Sequence, residues 1–191
     1  MRLNLPVSQQ EFDYPAEHML VSMTDTKGII THCNQAFVAV SGYSYDELIG
    51  QNHNLVRHPD MPPRAYKDLW QTIGRGRPWS GIVKNRCKNG DHYWVVANVT
   101  PVMVNGKPRG YMSVRVKPSR AQIAAADALY ATMRAQDASG QIAFGLAGGE
   151  VVHRGLRGWW DRARRTGLPG QLALSLTLLS GPVCPDSWRS R

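Results

Sequence analysis

The sequence is poor in cysteine and carries no secretion signal. Its 191 residues include three cysteines, Cys33, Cys87 and Cys184, an odd count with no CxxC pair. This argues against a disulfide framework and against a zinc knuckle, and it fits a reducing cytoplasm. The N-terminal stretch MRLNLPVSQQEFDYP lacks an apolar core of signal-peptide length, so we expect this part of the chain not to be exported.

Motifs of the common enzyme classes are absent as well. The sequence has no GxSxG elbow, no HExxH pair, no Walker loop and no paired-carboxylate constellation. We therefore predict a protein that is not an enzyme, with no catalytic residue and no metal ligand. A small hydrolase of unfamiliar chemistry stays open as an alternative.

No apolar run is long enough to span a membrane. The stretch QLALSLTLLSG is interrupted by Gly181 and Pro182, well short of the roughly 20 residues that a span needs. Before it, arginines accumulate beside Trp159 and Trp160: Arg154, Arg157, Arg162, Arg164 and Arg165. This pattern is typical of the cytoplasmic flank of a membrane segment. A net charge of +9 could also indicate nucleic-acid binding, but the position of the arginines favours membrane association. We interpret residues 151–191 as a basic juxtamembrane-like segment with a truncated apolar tail.

The first two thirds of the chain predict one α+β domain. After an N-terminal cap segment (1–18), two strands over residues 19–33 are joined by a turn at Gly28. Asn34 can cap a short helix that ends at Gly42, and Ser44 with Glu47 forms a capping box for another. Pro62 and Pro63 can start a longer helix with an apolar stripe, in which we expect Trp70 to be a core residue.

Three further strands complete the domain. WSGIVKNRC, HYWVVANVTPVMV and RGYMSVRV are joined at Asn89-Gly90 and Asn105-Gly106, two strong hairpin signals. The order predicts a five-stranded antiparallel sheet over residues 19–118, with short helices on one face and a ligand cleft between the layers. Ser119 and Gln122 then open a C-terminal helix, and residues 119–150 are interpreted as an exit helix and linker that leave the domain.

Four segments carry a family resemblance: HNLVRHPDMP at 53–62, WSGIVKNR at 79–86, KNGDHYWV at 88–95 and GYMSVR at 110–115. They closely resemble the PAS domain of bacterial aerotaxis receptors and related PAS-bearing methyl-accepting chemotaxis proteins. The resemblance implies a PAS fold that faces the cytoplasm and binds FAD without covalent attachment. It also implies a homodimeric transducer that signals through a membrane anchor and a HAMP domain to the chemotaxis kinase and its coupling protein.

Candidate cofactor-binding residues follow from this reading. The planar guanidinium of Arg57 can bind phosphate oxygens through two hydrogen bonds, and His58 could add a second donor. Asp60 is expected to cap the following helix or to orient Arg57. Asn85 and Trp79 lie six residues apart on one strand and share a face. An amide there can match the carbonyl and N–H edge of a flavin ring, and an indole can stack on it. We add His53, Asn34 and Tyr93 as further candidates.

GQNHNLV at 50–56 is similar to the motif of light-sensing flavin PAS domains, but His53 replaces their reactive cysteine, which excludes a photoadduct. Val95 stands where they place a second asparagine, and Asn98, Tyr93 and Tyr111 are unranked substitutes for it.

Three alternatives to the flavin sensor remain open. One is a haem sensor with His53 or His58 as axial ligand. Another is a PAS module without a cofactor that serves in dimerisation or partner binding. The third is a flavin oxidoreductase that acts on a soluble substrate.

Overall fold

The computed structural model describes residues 3–153, which belong to two units. Among these residues, the first unit comprises 3–142 with 146–151, and the second comprises 143–145 with 152–153. The basic arginine cluster and the apolar tail predicted from the sequence lie outside the described residues. Within residues 3–153, no helix is both long enough and apolar enough to cross a membrane.

A hairpin and two short helices open the domain as predicted. Strand β1 (Leu20–Asp25) pairs antiparallel with β2 (Ile30–Cys33), and Gly28 takes a φ of 81° in the turn between them. Helix α1 (Gln35–Ser41) starts where the Asn34 side chain accepts a hydrogen bond from the backbone N–H of Phe37. Helix α2 (Tyr45–Leu48) has the capping box of Ser44 and Glu47.

A 3₁₀ turn (His53–Val56) and helix α3 (Pro63–Gly74) follow. Proline at the first helical position fits this start because its missing N–H would have no partner there in any case. The apolar stripe of α3 is only partly core: Ile73 is buried, whereas Trp70 is 36% exposed. The expectation that Trp70 is a core residue is therefore wrong, because its indole lies at the open side of a cavity between helix and sheet.

The three-stranded meander consists of β3 (Trp79–Arg86), β4 (His92–Val104) and β5 (Lys107–Val116). The sheet order is β2-β1-β5-β4-β3, and every neighbouring pair is antiparallel. The hairpin from β4 to β5 turns at Asn105 and Gly106, both with positive φ. The predicted α+β architecture with a five-stranded antiparallel sheet is thus confirmed.

Helix α4 (Arg120–Ser139) begins at the predicted capping box of Ser119 and Gln122. It does not point away from the sheet. The Tyr130 hydroxyl donates to the Ile82 carbonyl of β3, and an Arg64 guanidinium nitrogen donates to the Met133 carbonyl at 3.1 Å. The helix therefore packs along the domain. Strands β6 (Phe144–Ala147) and β7 (Glu150–His153) follow, separated by a turn through Gly148 and Gly149.

The N-terminal segment is packed against the sheet edge. The Phe12 N–H donates to the His92 carbonyl at 2.7 Å, and the Tyr14 hydroxyl donates to the Trp94 carbonyl at 3.0 Å. Cys33 and Cys87 are buried thiols, and burial raises the pKa of both, that of Cys87 to about 12. Both thiols are therefore protonated and shielded, which fits the predicted role of filling small gaps in the core.

Candidate functional site

A cavity of about 310 Å³ lies between the sheet and the helix layer. This volume is at the lower end of the range for small-molecule sites. The cavity is lined by residues from β1, the 3₁₀ turn, α3 and the three meander strands: Ser22, Thr24, Lys27, Asn52, His53, Asn54, Arg57, Tyr66, Leu69, Trp70, Ile73, Val83, Asn85, Ala97, Val99, Tyr111, Ser113 and Arg115.

The walls of the cavity are apolar. Helix α3 contributes Leu69 and Ile73 from its stripe, and the facing sheet contributes Val83, Ala97 and Val99. Alternation along β3 and β4 turns these sheet residues toward the helices, because successive side chains of a strand point to opposite faces. The result is a slot between two apolar surfaces.

Arg57 and Asn85 meet at this slot. Their backbones form an antiparallel bridge, and both side chains line the cavity. Asn85 is 3% exposed, and its Nδ2 has no hydrogen-bond partner among the described residues. The same holds for Nε of Arg57, whose guanidinium carbon lies 3.5 Å from the centre of the Tyr66 ring. Two donors therefore converge in the cavity with hydrogen-bonding capacity to spare.

Arg115 on β5 is the main residue that the sequence analysis missed. It is 3% exposed, and one of its terminal nitrogens donates to Ser22 Oγ at 2.9 Å and to His53 Nε2 at 2.7 Å. Its other terminal nitrogen and Ser113 Oγ have no partner among the described residues. Alternation along GYMSVR places Tyr111, Ser113 and Arg115 on one face of a central strand. An arginine on the face that carries a core is a signal that could have revealed this position.

The cavity is cationic. Of the described residues that line it, Lys27, Arg57 and Arg115 carry positive charge and none is acidic. Burial lowers the pKa of Arg115 to about 10, so the guanidinium stays charged at neutral pH. Burial and the charges of Arg115 and Arg57 lower the pKa of His53 to about 3, so this imidazole is neutral. The site therefore favours an anionic or electron-rich ligand.

The neutral His53 ring is held on two sides. Its Nε2 accepts the hydrogen bond from Arg115, and the ring stacks on Phe37 with centroids 5.9 Å apart. An axial bond to haem through Nε2 would have to break the contact with Arg115. His58, the other candidate axial ligand, does not line the cavity.

His58 and Asp60 lie on the other side of the loop from Arg57. The backbone is extended at Arg57, so adjacent side chains point in opposite directions. His58 is fully buried against His92, and burial together with the charge of Lys84 lowers its pKa to about 4. Partial burial opposes ionisation of Asp60, but its 2.7 Å hydrogen bond with Lys84 prevails and lowers the pKa. Neither residue reaches the cavity.

Trp79, Asn34 and Tyr93 also lie outside the cavity lining. The Trp79 indole N–H donates to Asp68 of α3 at 2.8 Å, and this hydrogen bond holds the ring at the start of β3, outside the cavity. Asn34 caps α1 and bridges to β1. Tyr93 is buried beside Tyr14, with ring centroids 6.3 Å apart. For these three the cofactor contact predicted from the sequence has no support in the geometry.

The structure distinguishes Asn98 from Tyr111 as possible substitutes for the second asparagine of the light-sensing flavin PAS domains. Asn98 is exposed and accepts a hydrogen bond from Ser80 at 2.8 Å, so it points away from the cavity. Tyr111 lines the cavity and meets Trp70 edge to face, with centroids 5.7 Å apart. Trp70 and the exposed Lys27 mark the open side of the cavity.

Comparison with known proteins agrees with this architecture. Residues 30–115 match the family described as the PAS fold. The chain is 45% identical over 185 residues to the aerotaxis receptor of Escherichia coli strain K12, an alignment that spans 93% of this chain. The chain contains a PAS domain. The resemblance carried by HNLVRHPDMP, WSGIVKNR, KNGDHYWV and GYMSVR is thereby confirmed.

Other relatives of the PAS domain are shorter matches. The nitrogen fixation regulatory protein of Klebsiella pneumoniae is 36% identical over 83 residues, which is 44% of this chain. The dark structure of the Aureochrome1 LOV photoreceptor superposes with a TM-score of 0.52 at 22% identity, covering 67% of this chain and 97% of that one, which supports the fold. This chain spans 36% of the aerotaxis receptor and 17% of the nitrogen fixation regulator.

Proposed function

We propose that this PAS domain binds FAD without covalent attachment and reports the redox state of the flavin. The observation that carries the proposal is a set of buried donors at an apolar slot: Asn85 Nδ2, Arg57 Nε, Ser113 Oγ and the second terminal nitrogen of Arg115 lack partners among the described residues. A buried polar group without a partner costs about 1–3 kcal/mol, so a ligand with a polar edge and apolar faces would relieve several such costs together.

A flavin ring has this shape and this polarity. Leu69 and Ile73 would hold one of its faces, and Val83 and Val99 the other. Its edge alternates carbonyl and N–H groups, which the amide of Asn85 can match with one donor and one acceptor. The cavity thus offers both kinds of contact that a flavin requires.

The charges of the cavity suit a redox role. A bound flavin supplies reversible electron uptake, which adds negative charge. The buried Arg115 is charged at neutral pH and has no carboxylate beside it in the cavity lining, so it favours the more negative state. His53 is neutral and holds Arg115 in place through its Nε2. These residues therefore set the electrostatic potential in which the flavin would be reduced.

The phosphates of the dinucleotide need a partner nearer to solvent than Arg57. Arg57 lies beside Asn85, where it would contact the ring. Lys27 is exposed at the open side of the cavity, next to Asn52 and Trp70, and its ammonium can meet a phosphate there. We assign the phosphate contact to Lys27 and a contact with the ring to Arg57.

We further propose that the domain passes its state to the signalling part of a chemotaxis transducer and turns over no substrate. Support comes from the 45% identity to the aerotaxis receptor, of which this chain spans 36%. The partners would be a HAMP domain and a second copy of the chain, with the chemotaxis kinase and its coupling protein further along the pathway. The domain would work at the cytoplasmic side of the inner membrane, in response to oxygen or respiratory redox state.

The test is an absorption spectrum of the protein as purified, before and after dithionite, followed by denaturation to release the cofactor for chromatography. Two broad flavin bands that bleach reversibly, with FAD in the supernatant, are expected. A sharp Soret band would instead support haem. A colourless protein that takes up no added FAD would overturn the proposal in favour of a cofactor-free module.

A further inference from the structure

Asp68 is a buried carboxylate on α3 that serves two separate segments. It is 8% exposed, and one of its oxygens accepts the indole N–H of Trp79 at 2.8 Å. The backbone N–H of Gly148 donates to one oxygen at 2.9 Å, and that of Gly149 donates to the other at 2.7 Å. One side chain therefore ties the start of β3 and the turn after β6 to the same helix.

The turn fits this position because of its glycines. Gly149 has a φ of 91°, and a Cβ added there would come within 1.7 Å of the Ser80 carbonyl oxygen. Gly148 has a φ of 66°, but an added Cβ would meet nothing within 4 Å. Only Gly149 is thus pressed against β3. The end of the stretch interpreted from sequence as an exit helix and linker is held here by charge-assisted hydrogen bonds.

Helix α3 connects this attachment to the cavity. Tyr66, Leu69 and Trp70, which flank Asp68 in sequence, all line the cavity, while Asp68 itself turns toward β3. The Trp79 ring also covers Gly81, where an added Cβ would lie 2.5 Å from the indole. A movement of α3 that follows a change in the cavity would therefore move the carboxylate that holds the turn.

We propose that Asp68 is the positioning residue that couples the state of the cavity to the segment that leaves the domain, by latching the Gly148-Gly149 turn to α3. The coupling rests on the proposed flavin function, whereas the latch itself is a property of the protein in any state. The latch gives the redox signal a path through α3 to residues 146–151, next to the part of the chain that would lead to a signalling module.

The test is amide hydrogen exchange of the full chain, oxidised and dithionite-reduced, followed at Gly148 and Gly149. Asp68→Asn replaces one of the two carboxylate oxygens that accept from the turn amides. Gly149→Ala places a Cβ against the Ser80 carbonyl and so displaces the turn without altering α3. Gly148→Ala is the matched control, because it introduces a side chain at a similar positive φ without the clash. We expect exchange at the two amides to speed up about tenfold or more in Asp68→Asn and Gly149→Ala, and less in Gly148→Ala.

In the wild-type chain, reduction is expected to change exchange at these two amides, and this response is expected to vanish in Asp68→Asn while the flavin spectrum persists. Unchanged exchange in Asp68→Asn would overturn the latch. Equal exchange in oxidised and reduced wild-type protein would overturn the coupling. A protein without flavin would contradict the proposed function and with it the coupling, while the comparison of wild-type with Asp68→Asn would still decide the latch.

Discussion

Arg57 and Asn85 are joined by an antiparallel backbone bridge, and both side chains line one cavity. The bridge fixes the residue that follows the 3₁₀ turn to the end of the edge strand β3, so the two groups cannot separate without loss of this bridge. A guanidinium and an amide thus hold a constant relation to any ligand in the slot. Such preorganisation lowers the entropy cost of binding.

Replacement of Asn85 by alanine is expected to weaken FAD binding about tenfold or more, because the amide can exchange two hydrogen bonds with the ring edge. The measurement is a fluorescence-quenching titration of flavin-free protein with FAD. Asn98→Ala is the matched control, since Asn98 lies on the adjacent strand, is exposed and accepts a side-chain hydrogen bond from Ser80 outside the cavity. Equal affinities for the wild type and Asn85→Ala would contradict the assignment of Asn85 to the ring.

Ala97→Leu should fill the slot. Ala97 is 4% exposed and lines the cavity, so a larger side chain would occupy the space between the walls. The purified variant is expected to be colourless and to show no FAD binding, while its flavin-free melting temperature is equal to or above that of the wild type. Added apolar burial stabilises by about 0.8 kcal/mol per methylene when no strain results.

Ala128→Leu, on the exposed side of α4, is the control for Ala97→Leu. It should leave both FAD binding and colour unchanged. A yellow Ala97→Leu protein with wild-type affinity would show that the flavin does not occupy this cavity. A cooperative melt by circular dichroism separates a filled cavity from a misfolded chain.

The elements that depend on local chemistry were predictable from the sequence. Asn34, Ser44 and Ser119 cap helices through bonds to residues three positions away, so their function is contained in a short stretch. The hairpin at Asn105-Gly106 follows from positive φ at both positions. The five-stranded sheet follows from these turns together with alternation along the strands.

The composition of the site was predictable only in part, because it depends on contacts between distant segments. Arg57 and Asn85 were identified correctly as cavity residues, but neighbouring His58 was assigned to the same site although it turns to the opposite side of an extended loop. Arg115 was missed because its partners, Ser22 and His53, lie far from it in sequence. Trp70 was misassigned because an apolar stripe does not reveal whether it faces a core or a cavity.

The stability of the protein is expected to fall with pH below about 6.5, because His53 titrates there only when the chain is unfolded. Burial and the charges of Arg115 and Arg57 lower the folded pKa of His53 to about 3, so the unfolded state binds more protons between pH 6.5 and 3. Such a group contributes full stability above pH 6.5 and loses up to about 1.4 kcal/mol for each unit that the pH falls within this window. His58, with a pKa lowered to about 4, acts in the same direction.

His53→Gln keeps an acceptor for Arg115 but cannot titrate. Because burial also lowers the pKa of His58 and of His92, this variant is expected to lose about a third to a half of the pH dependence between pH 6.5 and 4.5. Urea unfolding at several pH values within that window gives the slope of the unfolding free energy against pH. The window lies above the pH range in which Asp60, whose pKa is lowered by Lys84, adds its own effect. Asn98→Ala removes an exposed amide that does not titrate and should keep the wild-type slope. If His53→Gln also kept the full slope, the buried neutral imidazole beside Arg115 would not be the source of the acid sensitivity.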